Sequence, residues 1–435
     1  MIQIAMLLLG TTYIKKNARY LAIAGGLWFL AGSLIFIDGL DQHSYFPLKI
    51  FGFILMLESV ITLSVASSGV GAQKSILFFK GGIFLFVALI ILVNQKYSNV
   101  LLTVIFGFTF FIIGFFTSFS SFIVRFPRWK LTLAYGLMLI IFSFFLLLHH
   151  TNSVSLFIGF QMISSGLSCI GIARKAMRMK TGTSIFQLIQ PGDVLLSSVP
   201  LKQDAKLIVK PVDTASGTAS LVVHIWTPEE SAEARPISRP IINRYIAAVD
   251  ENGVISTGHT ALEVPGHLYI SLYPAEDIDR SPSEFLRTLK ATHENDVVGR
   301  FLPDYATESS EWCDSVRKII FKNFSMEKLN TFWASYRQRE TYNLTYRNCS
   351  SSVAYALEAA LDGVLSKNKG FGHLLKILLV PELWIAAQVR KRAQTMAWTP
   401  GLVMDYSRAL HALVHPQPRP RPWYHRLPWS LTRKK

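Results

Sequence analysis

The sequence predicts a membrane all-α bundle of six helices followed by an α+β domain with an antiparallel sheet. Three observations carry this reading. Apolar runs, each near the ~20 residues a helix needs to span the hydrocarbon core, fill the chain up to Ala173. The composition then breaks at Arg174 to that of an ordinary globular protein, a change hidden in the averages of 50% hydrophobic and 17% charged residues. Beyond Lys180, apolar residues alternate in short β-branched segments with turn residues between them. The expected organisation is a membrane domain over 1–175, a globular domain over 181–363, amphipathic or interfacial helices over 364–414, and a basic Pro/Arg-rich disordered tail over 415–435.

Six spans fit the first part: 20–37, 50–67, 76–93, 100–124, 131–148 and 154–173. Lys15, Lys16 and Arg19 precede the first, Lys74 separates the second and third, Arg125, Arg128 and Lys130 follow the fourth, and Arg174, Lys175, Arg178 and Lys180 follow the sixth. The positive-inside rule places those segments, both termini and the large second domain in the cytoplasm. Met1 to Gly10 has no basic region ahead of its apolar stretch, so it does not read as a cleavable signal. Gly25-Gly26, Gly32, Gly81-Gly82, Gly107, Gly114, Gly159, Gly166 and Gly171 provide for close helix contacts. Glu58 and Lys80 interrupt the apolar runs at similar depth; a structural ion pair is favoured over an ion path, because no series of carboxylates continues it.

These short, glycine-punctuated spans resemble the HdeD-like (DUF308) family of bacterial membrane proteins associated with acid resistance. The resemblance covers about residues 1–175, implies a multi-pass protein of the bacterial inner membrane, and transfers no functional residue.

In the globular part, 193–198, 206–212 and 220–227 read as strands. An antiparallel meander follows: 241–249, a turn at Asp250-Glu251-Asn252-Gly253, 254–264, a Pro265-Gly266 turn, and 268–273. Residues 281–340 read as helical, with starts at Ser281-Pro282, Ser309-Ser310 and Ser325. A further helix runs from Cys349 to Leu361 and stops at Asp362-Gly363. The apolar segment 371–387 with Arg390-Lys391-Arg392 suits either an interfacial helix or an amphipathic helix packed on the domain.

Two segments hold the candidate chemistry, Gly258-His259-Thr260-Ala261-Leu262-Glu263-Val264 on a strand and Tyr346-Arg347-Asn348-Cys349-Ser350-Ser351 at a helix start. A thiol at a helix N-terminus lies beside unpaired N–H groups and the positive end of the dipole, which favour thiolate. A histidine on a core strand within reach of it can take and return the proton. The Cys349 N–H, with the Asn348 amide nearby, is placed to face a developing oxyanion.

The order strand-His, then Asn-Cys at a helix start, resembles the circularly permuted papain-like fold of the NlpC/P60 superfamily, especially its lecithin:retinol acyltransferase-like and H-rev107-like branch. Gly192-Asp193, His259-Thr260-Ala261-Leu262-Glu263-Val264, Ser271-Leu272-Tyr273-Pro274 and Asn348-Cys349 carry it. The combination of Gly258-His259 with Asn348-Cys349-Ser350 is also similar to the DUF4105 domain of the Lnb lipoprotein transacylases. Either resemblance covers roughly residues 190–363 and implies a papain-like thiol enzyme with Cys349 as nucleophile and His259 as base and acid. Where the acyltransferase branch places a second histidine to orient the first, this chain has Ser271; where that branch follows Asn-Cys with an acid and a histidine, it has Ser350-Ser351.

Other candidates are weaker. Cys313 sits inside a helical pattern, His224 reads as structural, His267 falls in a turn, and Glu263 lies too far along its strand from His259. The cysteines Cys169, Cys313 and Cys349 are too dispersed for a disulfide framework. No phosphate-binding glycine loop, zinc-ligand spacing or dinucleotide fingerprint is present, so no cofactor and no metal are expected. The formal charge of +16 would suggest nucleic acid in a soluble chain. Here it lies beside membrane helices and in the tail, which points to anionic phospholipid headgroups instead. The expected function is a membrane-anchored cysteine hydrolase or acyltransferase acting on a lipid or lipid-linked ester or amide. The alternatives are a cysteine peptidase or amidase on the same fold and a non-catalytic membrane protein that binds a partner.

Overall fold

The computed structural model describes residues 1–40, 48–66, 72–93, 95–126, 128–149, 153–178, 185–189, 219–231, 235–251, 255–276, 278, 287–366, 377–378 and 380–416. The Gly192-Asp193 pair, the strands expected at 193–198 and 206–212, the Asn252-Gly253 turn, the Ser281-Pro282 helix start, segment 371–376 and the tail from 417 lie outside them.

The N-terminal part is helical: α1 (Ile2–Leu40), α2 (Leu48–Ala66), α3 (Ala72–Val93), α4 (Gln95–Val124), α5 (Trp129–Leu148) and α6 (Ser153–Arg178). Four stretches, Ile2–Leu40, Asn99–Val124, Trp129–Leu148 and Val154–Arg178, are long and apolar enough to cross a membrane, and Leu77–Val93 is a shorter apolar helix. The helices pack as pairs, α1 on α6, α4 on α5 and α2 on α3. Small residues explain the first two pairings. A methyl group added at Gly32 would strike Met162 and the Ile163 backbone, and one at Gly159 would strike Phe36, so α1 and α6 meet backbone to backbone. Gly114 and Gly136 do the same for α4 and α5. Gly26, Gly82 and Gly171, which the sequence offered as further contacts, face no atom within 4 Å. Glu58 and Lys80 pair at 2.6 Å, and the lysine lies 4.9 Å from the ring centres of both Phe84 and Trp384.

α1 begins outside the bundle. Its backbone leaves the helical region at Gly10 (φ 78°), and the preceding Ile4, Ala5, Met6, Leu7, Leu8 and Leu9 are buried in the core of the C-terminal region. The break frees the carbonyls of Leu7 and Leu8 from the helical ladder, and the N–H groups of Gly363 and Leu365 take them up, each at 2.8 Å. Gly10 and Gly363 touch there, so a side chain on Gly10 would meet the Gly363 backbone.

The C-terminal region holds small antiparallel sheets. β1 (Leu221–Trp226) lies between β4 (His259–Val264) and β8 (Arg317–Phe321), with β5 (Leu268–Ile270) at the edge beside β4, giving the order β5-β4-β1-β8. A second sheet runs β6-β7-β9, from Leu272–Pro274, Val297–Phe301 and Thr341–Tyr342, and a two-stranded ladder joins β2 (Ala248–Val249) to β3 (Ile255–Ser256). Among the described residues the region also holds helices α7 (Ile185–Ile189), α8 (Pro240–Tyr245), α9 (Tyr305–Glu311), α10 (Met326–Tyr336), α11 (Cys349–Leu361), α12 (Pro381–Thr395) and α13 (Pro400–Val414).

Several expectations are corrected. Segment 241–249 is mostly the helix α8, because Pro240 presets the first helical turn and Asn243 ties it back to the Ile237 carbonyl at 2.8 Å. The expected strand 254–264 breaks at Gly258, and 268–273 breaks at Ser271, where the chain passes from the first sheet to the second. The stretch read as helical over 281–340 contains β7 and β8. Helix α9 starts at Asp304, whose carboxylate accepts from the Thr307 N–H at 2.7 Å, rather than at Ser309-Ser310, while Ser325 caps α10 as expected. The basic stretch after 387 is not all surface: Arg390 turns inward onto Glu358, so α12 packs on the domain. The same helix also touches the bundle, where Ser120 of α4 donates to the Thr395 carbonyl.

Candidate active site

α11 is buried along its whole length, although its first turn is Cys349-Ser350-Ser351-Ser352 and it carries Glu358. Each polar group there has a partner. The Asn348 carboxamide oxygen accepts from the Ser351 N–H at 2.7 Å while Ser351 Oγ accepts from the Asn348 N–H at 2.9 Å, closing a capping box. Asn348 Nδ2 donates to the carbonyls of Leu344 at 2.8 Å and Trp398 at 3.0 Å. Asn348 is thus spent on holding the start of the helix. This corrects the expectation that its amide faces an oxyanion.

α11 packs across β4, which brings Cys349 to His259. The neighbouring Gly258 has φ 66°, and any side chain there would strike the Trp226 carbonyl and Pro228, so the turn into β4 requires glycine. His259 is 3% exposed and stacks on Tyr273, ring centres 4.1 Å apart and 18° from parallel. Its Nε2 lies 2.9 Å from Ser271 Oγ and 3.2 Å from Glu308 Oε1. With Nε2 turned to Ser271 and Glu308, Nδ1 is the ring nitrogen left for sulfur.

Cys349 and His259 act on one another through both charge and hydrogen bonding. Burial opposes charge on each, yet the thiolate, by charge and hydrogen bond, and then Glu308 hold His259 above its ordinary value. Against the same burial, His259, Ser350 and the backbone N–H of Thr260 hold the Cys349 thiol below its ordinary value. The pair is therefore inclined toward thiolate and imidazolium. Cys313 behaves oppositely: burial pushes its thiol up, and its carbonyl accepts from Trp226 Nε1 at 2.9 Å.

Of the other sequence candidates, Ser271 sits at the junction of β5 and β6 with its hydroxyl on His259. Glu263 and His224 bond each other at 2.9 Å, with Ser315 on the other ring nitrogen of His224, and His267 is exposed in its turn. Sequence reasoning missed Glu308. It lies one turn into α9, 1% exposed, accepts from Tyr273 at 2.7 Å through Oε1, and accepts from Tyr269 through Oε2. The available signal was Tyr269 and Tyr273 on a core strand, since buried tyrosine hydroxyls need a polar partner.

A cavity of about 120 Å³ borders Cys349, walled mainly by Ile246, Ile255, Leu289, Leu344, Ala397 and Trp398. Two of its walls are tied to the end of α4: Ala291, two residues beyond Leu289, donates to the Val124 carbonyl at 2.5 Å, and Thr395, two before Ala397, accepts from Ser120. No family model, curated protein or solved structure compared with the chain matches it.

Proposed function

We propose that this chain is a membrane-anchored thiol hydrolase or acyltransferase that forms an acyl-thioester on Cys349, acting on a lipid or lipid-linked ester or amide. The observation that carries the reading is the buried Cys349–His259 pair, biased toward thiolate and imidazolium, at the N-terminus of α11 and the edge of an apolar cavity. In the first half-reaction the Cys349 sulfur attacks the carbonyl carbon, and the carbonyl π electrons move onto oxygen. The Cys349 N–H, at the first helical position with no partner in its own helix ladder, faces that oxyanion. Collapse breaks the bond to the leaving group, which takes the proton from His259. Water or an acceptor nucleophile then attacks the thioester, with His259 accepting its proton and sulfur leaving as thiolate.

The resemblance to the permuted papain-like fold agrees with these roles. The apolar cavity walls, held to the end of α4 next to Arg125, Arg128 and Lys130, favour a lipid over a soluble peptide. A six-span bundle in the bacterial inner membrane with the thiol domain on its cytoplasmic side, against anionic headgroups, fits the basic loops.

The test is labelling of the full-length protein by a thiol-directed acyl probe, followed by fatty-acid release from phospholipid vesicles. In Cys349→Ala labelling is expected to drop to the background of Cys169 and Cys313 and release to vanish, and both are expected to fall sharply in His259→Ala. Equal labelling of wild type and Cys349→Ala would sink the proposal, and peptide cleavage without fatty-acid release would move it to the peptidase.

A further inference from the structure

We infer that Glu308 is the charge-bearing orienter of His259, a positioning residue for the thiol chemistry proposed above, on which this assignment rests, with Ser271 as a neutral companion. Ser271 is fully buried and bonds Nε2 at 2.9 Å, but a hydroxyl cannot balance an imidazolium. Glu308 Oε1 lies 3.2 Å from the same nitrogen and can. Opposite charge at that distance favours the protonated ring, and burial keeps water from weakening the attraction.

Glu308 also meets the mechanical requirement for an orienter. Tyr273 donates to Oε1 and Tyr269 to Oε2, so the carboxylate is gripped from two sides by side chains of β6 and β5. Tyr273 additionally stacks on the imidazole it helps to align. The acid on the His259 strand itself, Glu263, is taken by His224. The titratable groups facing His259 are thus Cys349 of α11, Glu308 of α9 and Tyr273 of β6, while His224 feels the charges of Glu263, Lys318 and Glu308.

The orienter predicts a displacement in pH. Glu308 stabilises imidazolium, and imidazolium stabilises thiolate. Removing the charge lowers the histidine pKa and raises that of the thiol. The experiment is the pH dependence of Cys349 alkylation by iodoacetamide in the full-length protein, with Cys349→Ala subtracting reaction at Cys169 and Cys313. Glu308→Gln is expected to move the midpoint up by about 1 unit or more, the scale of a lost opposite charge. Glu308→Asp should return it toward wild type, and Ser271→Ala should move it less than Glu308→Gln.

A wild-type midpoint in Glu308→Gln, or a shift no larger than that of Ser271→Ala, overturns the assignment while leaving the thiol site standing. A purely structural role would reduce the amount of reactive protein without moving the midpoint. If wild-type Cys349 titrates like a free thiol, the thiol reading and this assignment fall together. Should Glu308→Gln not fold, Tyr273→Phe keeps the stacked ring but removes a donor from Oε1. It loosens the grip that sets the carboxylate against His259, so the midpoint should move up, and an unmoved midpoint is equally fatal.

Discussion

The two ends of α11 each meet a buried carboxylate, and the two are neutralised differently. Near its C-terminal end Glu358, 0% exposed, takes Arg390 Nε at 2.7 Å and Nη2 at 3.2 Å, with the Tyr406 hydroxyl at 2.8 Å. At its N-terminal end Glu308, 1% exposed, takes Tyr269, Tyr273 and His259. Arginine stays charged throughout the working range, so the Glu358 cluster has one electrostatic state and serves the fold. Histidine titrates, so the Glu308 cluster has two and can serve chemistry. The same helix therefore carries a fixed anchor at one end and a switchable charge at the other.

The largest effect expected from breaking this contrast is on stability, at the fixed end. Arg390 also reaches the Ile189 carbonyl and Gln3, so Arg390→Ala strips the buried Glu358 of the guanidinium charge and parts α12 from α7 and α1. A loss of about 3–5 kcal/mol is expected, read by thermal or denaturant unfolding, with the alkylation midpoint of Cys349 in the folded fraction unmoved. A moved midpoint would show that the two ends are coupled.

Exchanging tyrosines compares the ends directly. Tyr406→Phe and Tyr269→Phe each remove one donor from a buried carboxylate, at about 1.5–3 kcal/mol for a bond to a charged acceptor. Both should lower the melting temperature, but only Tyr269→Phe should displace the alkylation profile.

His259 is raised, so the stability its charge contributes is complete below the ordinary histidine pKa and is lost as pH rises through the folded value. Cys349 is lowered, so its contribution is present above the ordinary thiol pKa and is lost as pH falls through the folded value. His259→Ala leaves burial as the dominant influence on the thiol, which then rises. Alkylation at neutral pH should fall about tenfold for each unit recovered, measured by mass spectrometry of the labelled cysteine. Ser350→Ala should give the smallest effect, a shift in the same direction of less than tenfold, since Ser350 Oγ is 3.7 Å from the sulfur and shares its bonding with Thr260.

The sequence showed what local pattern determines. The Cys349 helix start, the His259 strand and the Ser271 position are each written in a few adjacent residues. The pairing of Glu58 with Lys80 also followed from depth along two helices. Glu308 was illegible for a physical reason. It meets His259 only because β6 pairs with β7 and α9 then turns back over β4, and both β7 and β8 were hidden in a stretch whose apolar spacing reads as helix. The inward turn of Arg390 was illegible likewise, since a run of three basic residues advertises a surface until the buried acid opposite is known.

The insertion of Ile4 to Leu9 under α11 has a consequence for assembly. These residues open the first apolar helix, yet their resting place is built mostly from strands and helices some two hundred to four hundred residues further along the chain. That long sequence separation is paid in loop-closure entropy before any contact is made, so closure of the C-terminal core comes late. Until it does, the short apolar segment 4–9 has no core to enter. When it docks, the crossing of Gly10 on Gly363 pins the C-terminal region, with Cys349 and His259 in it, to the start of α1 and so to the apolar helices behind it.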